Sequence, residues 1–355
     1  VPAEWANATT GAVAVQVKGD EYYKNFVKPI LAQEGDKLPV SAIAADGVVP
    51  TGTTKYEKRG IAVKVPAWDV TKCVQCNLCS LVCPHAAIRP YLVDEGTAPA
   101  SFVTKKALGK QFAGKAFRIQ VSPLDCTGCG SCVEMCPARG KALAMERSAG
   151  RMFQDQENFE YAKKKGVQQG SDKTVKEAQF LRPYLEYSGA CPGCGETPYV
   201  KLVTQLFGDR MMLSNSAGCS TVWAAGAPSV SYTTDENGHG PAWGFSLFED
   251  NAEYGFGMFL GVAQIRATLA LKMRVLLEGG DISAALRSIM EEWLEGKDLG
   301  EGTRERAAAL TAALDEALAE KDDAELKALR EKSDFFVKRS HWIFGGDGWA
   351  YDIGY

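Results

Sequence analysis

The sequence lacks the long apolar run that a membrane-spanning helix requires. Its longest candidate, Gly255 to Leu271, contains Gln264 and Arg266 and is shorter than the ~20 residues that cross a bilayer. Residues 1–10 also lack the basic stretch and apolar run of a secretory signal. We therefore expect neither a membrane span nor export.

The sequence also lacks an excess of positive charge. It has 40 Lys and Arg against 44 Asp and Glu, a formal net charge of -4. Proteins that bind nucleic acid through its phosphates normally carry a basic patch, so we expect no nucleic-acid partner. The 355 residues, 46% of them hydrophobic, suffice for two or three domains with cores of their own.

Eleven cysteines are the unusual feature of the composition. Their odd number, their spacing and the missing signal argue against a disulfide framework, which belongs to oxidising compartments. We therefore expect a cytoplasmic protein whose cysteines bind metal.

Two blocks of the sequence follow the pattern C-x2-C-x2-C-x3-C-P. The blocks are Cys73, Cys76, Cys79, Cys83 with Pro84, and Cys126, Cys129, Cys132, Cys136 with Pro137. In ferredoxins with two 4Fe-4S clusters, three cysteines of a loop bind one cluster and the fourth binds the other. We therefore assign one cluster to Cys73, Cys76, Cys79 and Cys136, and the second to Cys83, Cys126, Cys129 and Cys132. A pair of zinc sites is the alternative, but zinc does not require this three-plus-one spacing or the proline.

Three further cysteines lie outside these blocks. Cys191 and Cys194 belong to Cys-Pro-Gly-Cys-Gly-Glu, and Cys219 to Ala-Gly-Cys-Ser. A single C-x-x-C is compatible with a thioredoxin-like redox pair, a zinc knuckle or half of an iron–sulfur site. Three cysteines make an incomplete set of four, so we expect a further ligand beyond Tyr355.

A Gly-Asp-Gly motif follows the last apolar segment of the chain. Gly346 and Gly348 can let backbone amides approach a diphosphate, and Asp347 can hold the Mg2+ that neutralises it. By itself the motif is also compatible with an ordinary turn. Its neighbours in the sequence must decide between the two.

The second half of the sequence alternates helical and short buried patterns. Met211–Asn215 and Trp342–Phe344 are typical of strands. The predicted helices are Thr197–Phe207, Ala252–Leu277, Ile282–Trp293 and Thr303–Glu331. Helices around short buried strands indicate an α/β domain.

The ordered set of motifs resembles the C-terminal part of the pyruvate:ferredoxin (flavodoxin) oxidoreductase family. The resemblance depends on the cysteine motifs together with Gly52–Arg59, Gly238–Trp243, Ser246–Glu253 and Gly346–Trp349. It implies a lead-in module over 1–65, an α+β ferredoxin-like domain over 66–147 and an α/β thiamine diphosphate-binding domain over 181–355. The stretch 148–180 between the last two is rich in Gln, Lys and Glu, which predicts a solvated linker. We expect this last domain to contain a parallel sheet whose strand ends receive the cofactor.

The resemblance also implies cofactors and partners. Cys191, Cys194 and Cys219 would bind a third 4Fe-4S cluster close to thiamine diphosphate. Glu196 and the surroundings of Cys219 would contact thiamine diphosphate, and Gly346, Asp347, Gly348 and Trp349 would hold its diphosphate, with Asp347 on Mg2+. The implied reaction is oxidative decarboxylation of pyruvate to acetyl-CoA and CO2, with coenzyme A as a substrate, ferredoxin or flavodoxin as acceptor, and a homodimeric protein.

The same resemblance implies that parts of the family lie outside this sequence. We expect the chain to be a fragment, cut at Tyr355 and inactive alone, because the modules that contact the 2-oxoacid are absent. A stand-alone iron–sulfur electron-transfer protein is one alternative. The same fold acting on another 2-oxoacid is another.

Overall fold

The computed structural model describes residues 19–224, 226, 228–346 and 348–349. The chain divides into two compact units. The first comprises the described part of Val1–Leu202 with Trp223–Thr233, and the second comprises Val203–Val222 with the described part of Thr234–Tyr355.

The first unit is built on two antiparallel sheets. Its strands are β1 (Lys64–Trp68), β2 (Ile88–Asp94), β3 (Lys105–Lys106), β4 (Lys115–Val121) and β5 (Leu143–Arg147). Strand β1 pairs with β5, and β4 lies between β2 and β3. The short helices are α1 (Lys28–Leu31), α2 (Leu78–Leu81), α3 (Ser131–Glu134) and α5 (Val175–Ala178). Helices α2 and α3 each lie inside one cysteine block, and a strand follows each of them.

The core of this unit is aromatic and lies against the cysteine loops. Phe117 of β4 packs edge to face on Trp68 and Phe180, at ring distances of 6.2 Å each. The same cluster contains the buried residues Cys79 and Cys132. Burial of these large rings stabilises the loops, since apolar area removed from water contributes about 25 cal/mol per Å².

The segment predicted as a solvated linker contains a packed helix. Helix α4 (Met152–Lys165) fully buries Phe159 and Ala162, and Phe159 contacts the Tyr91 ring of β2 at 6.0 Å. The linker prediction is therefore wrong for residues 152–165. Only a few side chains of α4 are apolar, and the strands that bury them are remote in sequence. The polar composition of this segment therefore did not indicate a helix.

Residues after 181 also pack into the first unit. Leu185 forms an isolated antiparallel bridge with Tyr232, and Thr54 Oγ1 donates to the Glu186 carbonyl at 2.8 Å. Thr53 Oγ1 donates to the Pro228 carbonyl at 3.0 Å. The division between units therefore falls within helix α6 (Thr197–Phe207) rather than at residue 181.

The second unit contains a parallel sheet, as predicted. Strand β6 (Met211–Ser216) lies between β7 (Ala242–Ser246) and β8 (Ser340–Phe344), and both pairings are parallel. Helix α7 (Cys219–Ala224) begins directly after the carboxyl end of β6. Because parallel strands end at the same edge, the residues after β6 and β8 come together there.

A helical layer completes the second unit. Its helices are α8 (Asn251–Gly279), α9 (Ala284–Gly296), α10 (Thr303–Glu320) and α11 (Ala324–Arg330). Trp293 is buried and packs on Phe336 at 5.7 Å. The prediction of one helix over Thr303–Glu331 is wrong, because Asp323 Oδ1 accepts hydrogen bonds from Glu325 N and Leu326 N and so starts a new helix.

We predicted no membrane span because the apolar run Gly255–Leu271 is short. Helix α8 is longer than that run. Its 29 residues are long and apolar enough to cross a membrane, and 28% of its most apolar stretch is buried. The length argument against a span is therefore wrong. One such helix is weak evidence for a span, because core helices of soluble proteins also reach this length and hydropathy.

Candidate functional site

The eight cysteines of the two blocks line two separate cavities of the first unit. One cavity is lined by Cys73, Cys76, Cys79 and Cys136. The other is lined by Cys83, Cys126, Cys129 and Cys132. This is the three-plus-one grouping that the spacing predicts.

The loops reach this arrangement through left-handed backbone at matching positions. Gln75 and Asn77 in the first block have φ of 58° and 63°, and Gly128 and Gly130 in the second have φ of 74° and 81°. Alternation of left- and right-handed residues turns successive N–H groups inward, which creates concave anion sites of the kind found around iron–sulfur clusters. A cysteine-ligated cluster is such an anion.

The first block adopts this conformation without glycine. The Gln75 amide donates to the Lys106 carbonyl and accepts from Leu108 N, both at 2.8 Å, and Asn77 Nδ2 donates to the Lys176 carbonyl at 2.8 Å. Both side chains are about 1% exposed. These hydrogen bonds offset the strain of positive φ in residues with a Cβ. Their roles were missed in the sequence because their partners lie 31 to 99 residues away.

Burial makes three of these sulfurs, on Cys79, Cys126 and Cys132, poor thiolates unless a cation is present. It raises the pKa of the Cys126 thiol to about 12 and also raises those of Cys79 and Cys132, with neighbouring cysteines adding to the rise. Iron ligation requires thiolates, so positive iron must compensate for their burial. The donor set, the two cavities and the left-handed backbone of the loops therefore fit iron–sulfur clusters. Among the described residues, no group of three His, Cys, Asp or Glu is placed to hold a single metal ion.

The Cys191–Cys194 loop lies beside the second of these cavities. Cys194 N donates to the Cys191 carbonyl at 3.0 Å, and Gly193 has φ of 76°, which favours glycine. A Cβ on Gly193 would lie 3.8 Å from the Cβ of Cys129. His85 Nε2 is 2.8 Å from the Ala190 carbonyl, which fixes the start of the loop.

Glu196 is the carboxylate that the resemblance places at the thiamine site. It lies just before α6, and its Oε2 accepts from Trp223 Nε1 at 3.2 Å. This contact lies within the first unit, which also contains Cys191 and Cys194, whereas Cys219 belongs to the second.

Gly346 and Cys219 meet at the carboxyl edge of the parallel sheet. Gly346 follows β8 and is buried, and a Cβ on it would lie 2.7 Å from the Cβ of Cys219. Only glycine fits this approach. Trp349 Nε1 donates to the Phe248 carbonyl at 3.0 Å, so this ring is fixed in the same unit. Asp347 lies outside the described residues, and its role as an Mg2+ ligand stays a prediction.

We expect Gly346→Ala to destabilise the second unit by about 1–3 kcal/mol, because the new methyl group overpacks against a Cβ fixed in α7. Hydrogen exchange of β6 amides, analysed by mass spectrometry, measures the change. Gly261→Ala in α8 is the matched control, since nothing lies within 4 Å of its added Cβ. Equal stability of the two variants would contradict the close contact.

Comparison with known proteins agrees with the resemblance. A family model described as a 4Fe-4S dicluster domain matches residues 72–139, and a domain of unknown function called EKR matches residues 10–62. The chain is 52% identical, over 100% of its length, to the pyruvate:ferredoxin oxidoreductase of Moorella thermoacetica, and covers 31% of that protein. It is 48% identical to the pyruvate-flavodoxin oxidoreductase of Enterobacter agglomerans, and this match covers 100% of the chain and 31% of that protein. The chain thus spans about a third of these curated relatives.

Proposed function

Since the chain is related along its whole length to the pyruvate:ferredoxin and pyruvate-flavodoxin oxidoreductases, we propose that it forms the electron-relay and cofactor-binding part of such an enzyme. The whole protein would oxidise pyruvate with coenzyme A to acetyl-CoA and CO2. Ferredoxin or flavodoxin would accept the electrons, and the full-length protein would be a homodimer. The observation that carries the proposal is the pair of cavities, each lined by four cysteines, inside a segment matched by a dicluster model.

Two of three proposed clusters occupy these cavities. Cys73, Cys76, Cys79 and Cys136 would ligate one, and Cys83, Cys126, Cys129 and Cys132 the other. Thiolates of these side chains hold the iron, and the surrounding backbone N–H groups stabilise the negative charge of the cluster.

Cys191, Cys194 and Cys219 would be ligands of the third cluster. The proximity of Gly193 to Cys129 supports an order of electron transfer. Electrons would pass from the Cys191–Cys194 loop to the cluster on Cys83 and Cys129, and then to the cluster on Cys73 and Cys136.

Thiamine diphosphate and Mg2+ are the further cofactors of the proposal. When bound, thiamine diphosphate would supply carbanion chemistry toward the carbonyl of the 2-oxoacid. The glycine-lined edge after β8 would receive its diphosphate, with Gly346, Gly348 and Trp349 around it and Asp347 on Mg2+. Glu196, held by Trp223, would orient the ring portion.

Iron and thiamine content test the proposal together. We expect the anaerobically purified full-length protein to contain about twelve iron atoms per chain, from three 4Fe-4S clusters. We also expect it to bind thiamine diphosphate in a Mg2+-dependent manner, measured by equilibrium dialysis. About eight iron atoms and no thiamine binding would instead favour a stand-alone electron-transfer protein.

A further inference from the structure

Lys201 is a buried cation that contacts the backbone of Cys83, a ligand of one of the proposed clusters. It lies in α6 and is only 2% exposed. Its Nζ donates to the carbonyls of Ser80, Leu81 and Cys83, the last two at 3.2 and 3.4 Å. Burying an ammonium group is costly unless it is well coordinated, so this placement is strongly specified.

The ammonium group of Lys201 lies close to the backbone of Cys83. Helix α2 ends at Leu81, and cations are favourable at the carbonyl end of a helix. The three carbonyl acceptors of Nζ, on Ser80, Leu81 and Cys83, match the three N–H donors of a charged ammonium group. This arrangement is that of a charged ammonium group next to the backbone of a proposed ligand.

We propose that Lys201 is a positioning residue whose positive charge raises the reduction potential of the cluster on Cys83, Cys126, Cys129 and Cys132. The inference rests on the proposed cluster at these cysteines. One-electron reduction adds one negative charge to the cluster, and a nearby buried cation stabilises that charge with little solvent screening. Net charge and hydrogen bonding are the terms by which a protein sets the potential of such a cluster.

The other cavity has lysines in more exposed positions. Lys141 Nζ donates to the carbonyls of Cys136 and Glu134 at 3.0 and 2.7 Å, but Lys141 is exposed. Lys105 Nζ donates to the carbonyls of Cys73 and Val70 at 2.9 Å each and is half-buried. Water screens such charges, so they act more weakly on their cluster.

The difference in burial between Lys201 and the lysines of the other cavity favours one direction of electron transfer. The cluster beside Lys201 is also the one beside the Cys191–Cys194 loop, since Gly193 approaches Cys129. A raised potential there favours transfer from that loop into the ferredoxin-like domain. Lys201 would thereby make the first relay cluster the better acceptor.

Redox titration of the full-length holoprotein, monitored by electron paramagnetic resonance, tests the inference. Dithionite supplies the electrons, and the signal lost in Cys83→Ala identifies the relevant cluster. Lys201→Gln retains a hydrogen-bond donor and removes the charge. We expect it to lower the potential of that cluster by about tenfold in the one-electron equilibrium constant, or ~59 mV. Lys201→Arg, which keeps a charge, should stay close to the wild-type potential.

Lys141→Gln is the matched control. It makes the same substitution at an exposed lysine that also bonds to a ligand carbonyl, and we expect a much smaller shift. Equal potentials in wild type and Lys201→Gln, at full iron content, would overturn the role of Lys201 and leave the cluster assignment standing. If Lys201→Gln loses iron, Lys201→Arg decides: a shift as large as tenfold with the charge retained would overturn the inference. Absence of the clusters from wild type would instead refute the proposed function.

Discussion

Replacing Cys83 and Cys73 together by alanine is expected to remove two of the three proposed clusters at once. These cysteines belong to the same sequence block, but they line different cavities. Each substitution deprives a different cluster of a thiolate. The iron content of the full-length protein should fall from about twelve to about four atoms per chain. Iron analysis after anaerobic purification measures the loss, and circular dichroism checks that the fold is retained.

The control variant keeps the Cys83 substitution and replaces Cys126 instead of Cys73. Cys83 and Cys126 belong to different blocks but line the same cavity. The Cys83→Ala, Cys126→Ala protein should therefore lose only one cluster and keep about eight iron atoms. If each block bound its own cluster, the two double variants would show the reverse order of iron content. That outcome would refute the three-plus-one assignment.

The second large effect is expected from a buried ion pair in the first unit. Arg89 Nη1 lies 2.7 Å from Glu186 Oε1, and both side chains are about 10% exposed. Glu186→Gln would leave the Arg89 charge buried without its carboxylate. Breaking a buried pair in this way costs about 3–5 kcal/mol of stability. Hydrogen exchange of β2 and of residues 184–188 measures the free energy of opening.

The same pair has a defined pH dependence. Burial alone would raise the pKa of Glu186, but the Arg89 charge prevails and lowers it to about 2. The unfolded value is about 4.3, so the contribution is fully present above that pH and is lost as the pH falls towards 2. The stability difference between wild type and Glu186→Gln should shrink over this range.

Glu146→Gln provides the comparison for the ion-pair experiment. Glu146 pairs with Arg151 at 2.8 Å, but its side chain is 57% exposed. Exposed pairs contribute about 0–1 kcal/mol, because water screens them. A loss at Glu146 as large as that at Glu186 would contradict the dominant role of burial.

Much of this fold follows from local patterns in the sequence. The strands at 211–215 and 342–344 and the helix at 197–207 were predicted within a few residues of their observed bounds, because hydrophobic periodicity acts over short distances. Helix α4 escaped prediction because its burial depends on Tyr91, which is remote in sequence. The break before α11 depends on one capping carboxylate, Asp323, inside an otherwise continuous helical pattern.

The sequence by itself determined the cysteine spacing, and the spacing is chemical information because a cluster needs thiolates at fixed intervals along a tight loop. It also determined the order of motifs on which the resemblance depends. Only the tertiary structure decided what surrounds those cysteines. It supplied the bonds that hold Gln75 and Asn77 in left-handed backbone, the approach of Gly346 to Cys219 and the buried charge of Lys201. Each of these depends on groups distant along the chain, and no local pattern encodes which of them will meet.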